Sequence, residues 1–278
     1  MKLVRWGERG AERPGLIDGA GRVRDLSGRM TEGDITPAVL APDRLEALRT
    51  LDMESLPLVE AGERLGVPVA GIGAIIAIGL NYRDHVAETG LPMPTEPVVF
   101  SKHPGSLAGP NDPLPFPQGT AKLDWEVELA AVIGRPTWQV AEDQALSHVA
   151  GYMVANDISA RDWQMDRGGQ WIKGKSAPGF CPLGPWLATA DEIADPQGLA
   201  LWCDVDGIRM QDGTTADMVF GVKTLIAYLS RFMALMPGDV VLTGTPAGVG
   251  LGRGRFLETG SWVACGVAGL GRQRFRVV

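Results

Sequence analysis

Two glutamates separated by one residue are the strongest candidates for chemistry in this 278-residue sequence. Glu126 and Glu128 lie in the stretch DWEVELAAVI, whose composition predicts a strand over residues 125–133. Strand side chains alternate between faces, so both carboxylates would share one face. Adjacent carboxylates repel unless a positive charge lies between them, and hard divalent cations prefer oxygen ligands. The pair alone, however, is more typical of a solvated strand face.

A third carboxylate makes a metal site the better interpretation. Asp157 follows the apolar stretch 152–156, at the end of a predicted strand. It would either point into a site or cap the helix predicted after it. Three carboxylates around one dication leave one net negative charge, which favours a basic side chain nearby. The candidates are Arg161, Lys173 and Lys175.

A histidine and a glutamate form the second candidate group. His85 and Glu88 are three residues apart in a predicted helix over residues 82–88, a spacing that allows contact. The glutamate would then orient the imidazole as a general base that activates water. A chance ion pair on a surface helix explains the same spacing.

A glycine-rich stretch at residues 243–250, TGTPAGVG, follows a predicted strand. Its backbone could approach an anionic ligand closely, and Thr245 offers a hydroxyl. It lacks the Lys-Ser/Thr end of a phosphate-binding Walker loop and the features of a dinucleotide fingerprint. A tight turn is an equally good interpretation.

The elements that must position these residues are mostly strands. Helices are predicted at 36–51, 82–88, 141–149, 158–166 and 220–232, whereas strands are predicted at 2–6, 15–17, 22–25, 74–78, 98–101, 125–133, 152–155, 199–204, 208–211, 240–243, 262–267 and 273–277. Strands and helices do not alternate regularly, which favours a β-rich α+β fold. We expect a small N-terminal α+β lobe over residues 1–70 and a catalytic domain over 71–278.

Charge and composition restrict the classes of partner. The net charge of −7 argues against a nucleic acid or an anionic membrane surface. The longest apolar run, residues 70–80, is too short to span a bilayer, and no signal peptide is evident. The three cysteines show no CxxC spacing, which favours buried free thiols. We therefore expect a cytoplasmic protein.

In order and spacing, six stretches resemble the fumarylacetoacetate hydrolase family. They are GLNYRDHVAE (79–88), DWEVELAAVIG (124–134), GYMVANDISARDWQ (151–164), KGKSAPGFCPLGP (173–185), MQDGTTADMVF (210–220) and LTGTPAGVG (242–250). Each stretch alone is weak evidence, but the ordered set is specific. The resemblance implies a mixed β-roll or barrel-like sandwich, in a homodimer or higher homo-oligomer.

The resemblance also assigns roles to residues. It implies that Mg²⁺, with Mn²⁺ or Ca²⁺ as possible substitutes, is bound by Glu126, Glu128 and Asp157. The implied catalytic residues are His85, Glu88 and Lys175. The implied substrate-binding residues are Arg161, Gln164, Gly244 and Thr245.

The implied reaction is hydrolysis of the C3–C4 bond of a 2,4-diketo acid, which yields pyruvate and a second carboxylic acid. The N-terminal lobe and the segment 167–171 resemble members that cleave 2,4-diketo-3-deoxy sugar acids, such as those of L-rhamnonate or L-fuconate breakdown, to pyruvate and lactate. Two alternatives remain: a decarboxylase or isomerase of oxaloacetate or hydroxy-dienedioates, and a non-catalytic binding protein on the same fold.

Overall fold

Strands dominate the computed structural model, which describes residues 1–278. In chain order they are β1 Lys2–Trp6, β2 Arg13–Ile17, β3 Val23–Asp25, β4 Ile75–Gly79, β5 Val98–Lys102, β6 Leu107–Ala108, β7 Leu123–Asp124, β8 Val127–Ile133, β9 Val149–Asn156, β10 Ser159–Ala160, β11 Cys181–Pro182, β12 Leu187–Thr189, β13 Ala200–Val205, β14 Ile208–Thr214, β15 Val240–Leu242, β16 Trp262–Val267 and β17 Gly271–Arg276. The predicted strand-rich α+β class is therefore confirmed.

The helices are short and lie between strands. The α-helices are α1 Pro42–Arg49, α2 Arg83–Thr89, α3 Glu142–Ala145, α4 Arg161–Met165, α5 Ile172–Lys175, α6 Val222–Leu229 and α7 Gly250–Arg253, and 3-10 turns occur at Pro37–Leu40, Met53–Ser55, Pro104–Ser106, Leu146–His148, Ala190–Glu192 and Thr215–Asp217. No helix is long and apolar enough to cross a membrane.

A nine-stranded mixed sheet forms the framework, in the order β3-β2-β1-β12-β9-β8-β15-β4-β5. Its strands pair antiparallel except β15 and β4, which run parallel. A second, antiparallel sheet has the order β14-β13-β16-β17, and its β13–β14 hairpin turns at Asp206-Gly207 as predicted. Two strand pairs, β10–β7 and β11–β6, complete the topology.

Strand β8 is buried on both faces. Val127 and Leu129 belong to a core shared with the second sheet, whereas Ala130 and Val132 belong to a core shared with the N-terminal strands and α1. The alternation expected from the sequence is therefore present. Glu128 lies near the start of this strand, on the same face as Ala130.

The first 70 residues contribute strands to the main sheet. Strand β1 pairs with β12, and Leu3 and Leu16 pack in the core that contains Ala130. The division into a lobe over 1–70 and a domain over 71–278 stays a prediction.

Several predicted elements differ from the structure. The helix expected at 141–149 is divided into α3 and a 3-10 turn, and its last residue begins β9. The helix expected at 36–51 is divided into a 3-10 turn and α1, because Pro42 lacks the amide hydrogen that would continue the first helix. The strand expected at 125–133 is interrupted, and β8 begins only at Val127. The helix expected at 158–166 begins later, at Arg161, because residues 159–160 pair with β7 instead.

Candidate metal and catalytic site

Three buried carboxylates meet where β8 and β9 lie side by side. Ligand oxygens of Glu126, Glu128 and Asp157 lie within 4.8 Å of one another. Strand pairing places them there: Glu128 pairs with Ala155, and the Asp157 amide donates to the Glu126 carbonyl at 2.8 Å. Asp157 therefore points into the cluster and does not cap α4, whose N-cap residue is Ala160.

Two of the three predicted basic residues lie in the cluster. Lys175 Nζ donates to Glu126 Oε2 at 2.6 Å and to Asp157 Oδ2 at 2.8 Å. Arg161 binds Glu126 Oε1 at 2.5 Å and Asp124 Oδ2 at 2.7 Å. Lys173 was the wrong candidate, because its Nζ is exposed and donates to a backbone carbonyl of the preceding loop at 2.8 Å.

A third buried cation was not found from the sequence. Lys102, the last residue of β5, has no exposed side-chain surface, and its Nζ binds Asp157 Oδ1. The same Nζ lies 3.3 Å from the Ile158 carbonyl oxygen. The only sequence signal was a lysine that directly follows an apolar strand, which usually indicates solvent exposure.

The charges shift the pKa values in opposite directions. Burial opposes ionisation of Glu126, but Arg161 and Lys175 together hold its pKa well below the usual range. Burial, then the charges of Asp157 and Glu126, raise the pKa of the Glu128 carboxyl. Burial alone would lower the pKa of Lys175, yet its two carboxylate partners raise it.

The donor set fits a hard divalent cation. Four carboxylates, those of Asp124, Glu126, Glu128 and Asp157, face three cations, so one negative charge is unbalanced when all four carboxylates are ionised. Glu128 has no basic hydrogen-bond partner; it accepts only the Gly244 amide at 2.7 Å. Carboxylate oxygens are the ligands that Mg²⁺, Mn²⁺ and Ca²⁺ prefer.

Helix α2 brings the histidine–glutamate pair to the same cavity. His85 Nδ1 lies 3.2 Å from Glu88 Oε2, and the ring is buried. Asn81 fixes the turn before this helix: its side-chain amide donates to the Thr243 carbonyl at 2.7 Å and accepts from the Phe220 amide at 2.9 Å. His148, by contrast, hydrogen-bonds to Thr137 outside this cavity.

The glycine-rich loop supports both groups. Gly244 donates to Glu128, and Gly248 donates to Glu88 at 3.0 Å. Both glycines have positive φ, +97° and +104°, which favours glycine. The Thr245 hydroxyl donates to the Val127 carbonyl at 2.8 Å and accepts from Gln211 at 2.7 Å.

One cavity unites most of the candidate residues. Its lining includes His85, Glu126, Glu128, Asp157, Arg161, Gln164, Lys175 and Thr245. Gln164 accepts from Arg161 at 3.0 Å. Glu88 and Gly244 are not in the lining, and contact it through His85 and Glu128.

A strand-rich fold with a buried carboxylate cluster beside a histidine–glutamate pair is typical of a metal-dependent enzyme. Residues 74–278 match the family model described as fumarylacetoacetate (FAA) hydrolase C-terminal. The chain therefore belongs to the fumarylacetoacetate hydrolase family, as the sequence motifs predicted.

Named relatives act on several substrates. A Burkholderia multivorans protein, named provisionally as a hydrolase, is 53% identical over 98% of this chain and 97% of its own. The 2-hydroxyhepta-2,4-diene-1,7-dioate isomerase from Mycobacterium marinum, whose crystal structure is known, is 31% identical in sequence to this chain. The match covers 100% of this chain and 98% of the isomerase chain, with a TM-score of 0.78. The maleylpyruvate hydrolase from Sphingobium sp. SYK-6, whose crystal structure is a complex with manganese(II) ion and pyruvate, is 27% identical to this chain. The match covers 100% of this chain and 99% of the hydrolase chain, with a TM-score of 0.82.

Proposed function

We propose that this protein is a divalent-metal-dependent hydrolase that cleaves the C3–C4 bond of a 2,4-diketo acid to pyruvate and a second carboxylic acid. The observation that carries the proposal is the single cavity lined by both His85 and the three-carboxylate cluster. The Sphingobium relative binds manganese(II) and pyruvate, which supports a divalent metal and a 2-keto acid as the ligands of this protein.

Glu126, Glu128 and Asp157 would hold the metal, for which Mg²⁺ is our choice and Mn²⁺ or Ca²⁺ a substitute. When bound, such an ion supplies Lewis acidity toward the carboxylate and 2-oxygen of a keto acid. Lys175 and Arg161 fix the orientation of Glu126. Gln164 and Thr245 line the wall that contacts it.

His85 would act as the general base. Glu88 occupies its Nδ1, which leaves Nε2 to take a proton from water. The resulting hydroxide attacks the C4 carbonyl carbon, and the C3–C4 bond breaks with its electron pair left on C3. The acyl fragment leaves as a carboxylic acid, and the enolate of pyruvate takes at C3 the proton that His85 removed from water.

Among 2,4-diketo acids, our first choice is a 2,4-diketo-3-deoxy sugar acid of the L-rhamnonate or L-fuconate type, which would give lactate as the second acid. We also propose a cytoplasmic homodimer. The second candidate function is isomerisation or decarboxylation of hydroxy-dienedioates or oxaloacetate, which the isomerase relative favours. The carboxylates and the histidine that catalysis requires line one cavity, which argues against the interpretation of the chain as a non-catalytic binding protein.

A pyruvate-release assay over a panel of diketo acids, with Mg²⁺ and with EDTA, tests the proposal. We expect pyruvate release only when metal is present. The Glu126→Gln variant should lose both pyruvate release and the Mg²⁺ binding measured by calorimetry. The exposed Glu258→Gln is the matched control and should retain both. Full activity of Glu126→Gln, or pyruvate formation without C–C hydrolysis products, would exclude this function.

A further inference from the structure

The part of the cavity away from the carboxylates is apolar. Its wall is formed by side chains from β5, the ends of α2 and α4, the loop before α5, and α7. They are Leu91, Phe100, Met165, Trp171 and Leu251. Met165, Leu91 and Leu251 are 54%, 51% and 42% exposed, so they surround the mouth. A substrate whose keto-acid end reaches the carboxylates would contact this wall with its far end.

Trp171 is fixed as part of this wall. Gly168 and Gly169 turn the chain before it at positive φ, +79° and +70°. Its ring packs edge-to-face on Phe100, with centroids 5.3 Å apart, and over Gly79. A Cβ at Gly79 would lie 2.6 Å from the Trp171 ring, so this glycine makes room for the indole. The wall is therefore built into the chain.

The apolar wall offers no cation for a second carboxylate. Arg161 and Lys175 are the permanently basic residues in the lining, and both already bind carboxylates. Three basic residues near the mouth, Arg167, Lys173 and Arg253, are not part of the lining, and Lys173 and Arg253 donate to the Arg167 and Met210 carbonyls, each at 2.8 Å. A carboxylate pressed against this wall would lose hydration without gaining a cationic partner in the lining.

We infer that the site selects 2,4-diketo acids with one carboxylate, whose acyl end is uncharged, over equally long dicarboxylates. Met165 and Trp171 determine this selectivity at the mouth and the wall. The inference rests on the proposed function, because it assumes that the keto-acid end lies at the carboxylate cluster.

A matched pair of substrates tests the inference: 2,4-dioxoheptanoate and 2,4-dioxoheptanedioate have the same carbon chain and differ in the second carboxylate. We expect kcat/KM for pyruvate release to be at least about tenfold higher for the monocarboxylate, since an unpaired charge costs more than about 1.4 kcal/mol. Equal values, or a preference for the dicarboxylate, would overturn the inference. Pyruvate release from neither would instead contradict the proposed function.

A charge added at the mouth tests the cause of the selectivity. Met165→Lys should raise kcat/KM for the dicarboxylate and bring the ratio within about threefold, whereas Met165→Gln should leave the ratio unchanged. The position is largely exposed at the end of α4, so both variants should fold. If the lysine variant keeps the wild-type ratio, the lack of a cation is not the cause, and the inference fails.

Discussion

Replacement of Lys102 by methionine tests whether this lysine balances the charge of the site. Its Nζ binds Asp157 and lies near the Ile158 carbonyl, with no exposed surface. Methionine is only one atom shorter than lysine and removes its charge, which adds one unbalanced negative charge to the cluster. Removing one partner of a buried ion pair costs about 3–5 kcal/mol. We expect the lower end, about 3 kcal/mol, because Lys175 still binds the other Asp157 oxygen.

Urea unfolding in EDTA measures this loss, and Lys173→Met is the matched control. Since Lys173 is exposed, its replacement should change the free energy of unfolding by less than about 0.5 kcal/mol. Added Mg²⁺ should stabilise Lys102→Met more than the wild type, because the ion supplies positive charge where the lysine was removed. If Lys102→Met unfolds in EDTA at the same urea concentration as the wild type, the charge-balance reasoning is wrong.

Three further predictions concern the glycine-rich loop, the histidine–glutamate pair and the thiols. Gly248→Ala would place a Cβ 1.9 Å from a backbone oxygen and should cost at least about 3 kcal/mol in unfolding free energy, whereas Gly254→Ala, at positive φ but in open space, should cost only about 1 kcal/mol. Glu88→Gln should lower kcat about 100-fold without weakening Mg²⁺ binding in calorimetry; an unchanged kcat would contradict the role of this glutamate. Burial raises the pKa of the Cys181 and Cys265 thiols to about 12, so a thiol reagent should label native protein slowly and denatured protein fully. The contribution of the buried, neutral thiols to stability is complete below the ordinary thiol pKa of about 8.5. It is lost as pH rises toward 12, so the melting temperature should fall over this range.

The carboxylate cluster was predictable because it depends on local geometry. Strand alternation places Glu128 on the face opposite Val127 whatever the rest of the fold does. Asp157 followed from the end of an apolar strand. The interruption before Val127 is not predictable, because it accompanies the pairing of β7 with β10, whose residues the sequence pattern predicts to be helical.

The cations of the site show where sequence reasoning ends. Lys173 and Lys175 are two residues apart on α5, so they point to nearly opposite sides, and only packing decides which one is buried. Lys102 depends on contacts still more distant in sequence. It ends the edge strand β5, 55 residues before the carboxylate it binds. No periodicity of its own segment distinguishes it from a solvated lysine.

The charge count of the site leads to a final prediction about ligand binding. Three cations and four carboxylates leave one negative charge in the metal-free cluster when Glu128 is ionised and none when it is protonated, so the cluster offers a 2-keto monoanion no net positive charge. A dication reverses the sign to one positive charge, which one carboxylate neutralises. Calorimetric titration with pyruvate should therefore give binding heat with Mg²⁺ and none in EDTA. Binding of equal affinity in EDTA would mean that Arg161 and Lys175 hold the carboxylate by themselves, and that the cluster does not need a metal to attract its ligand.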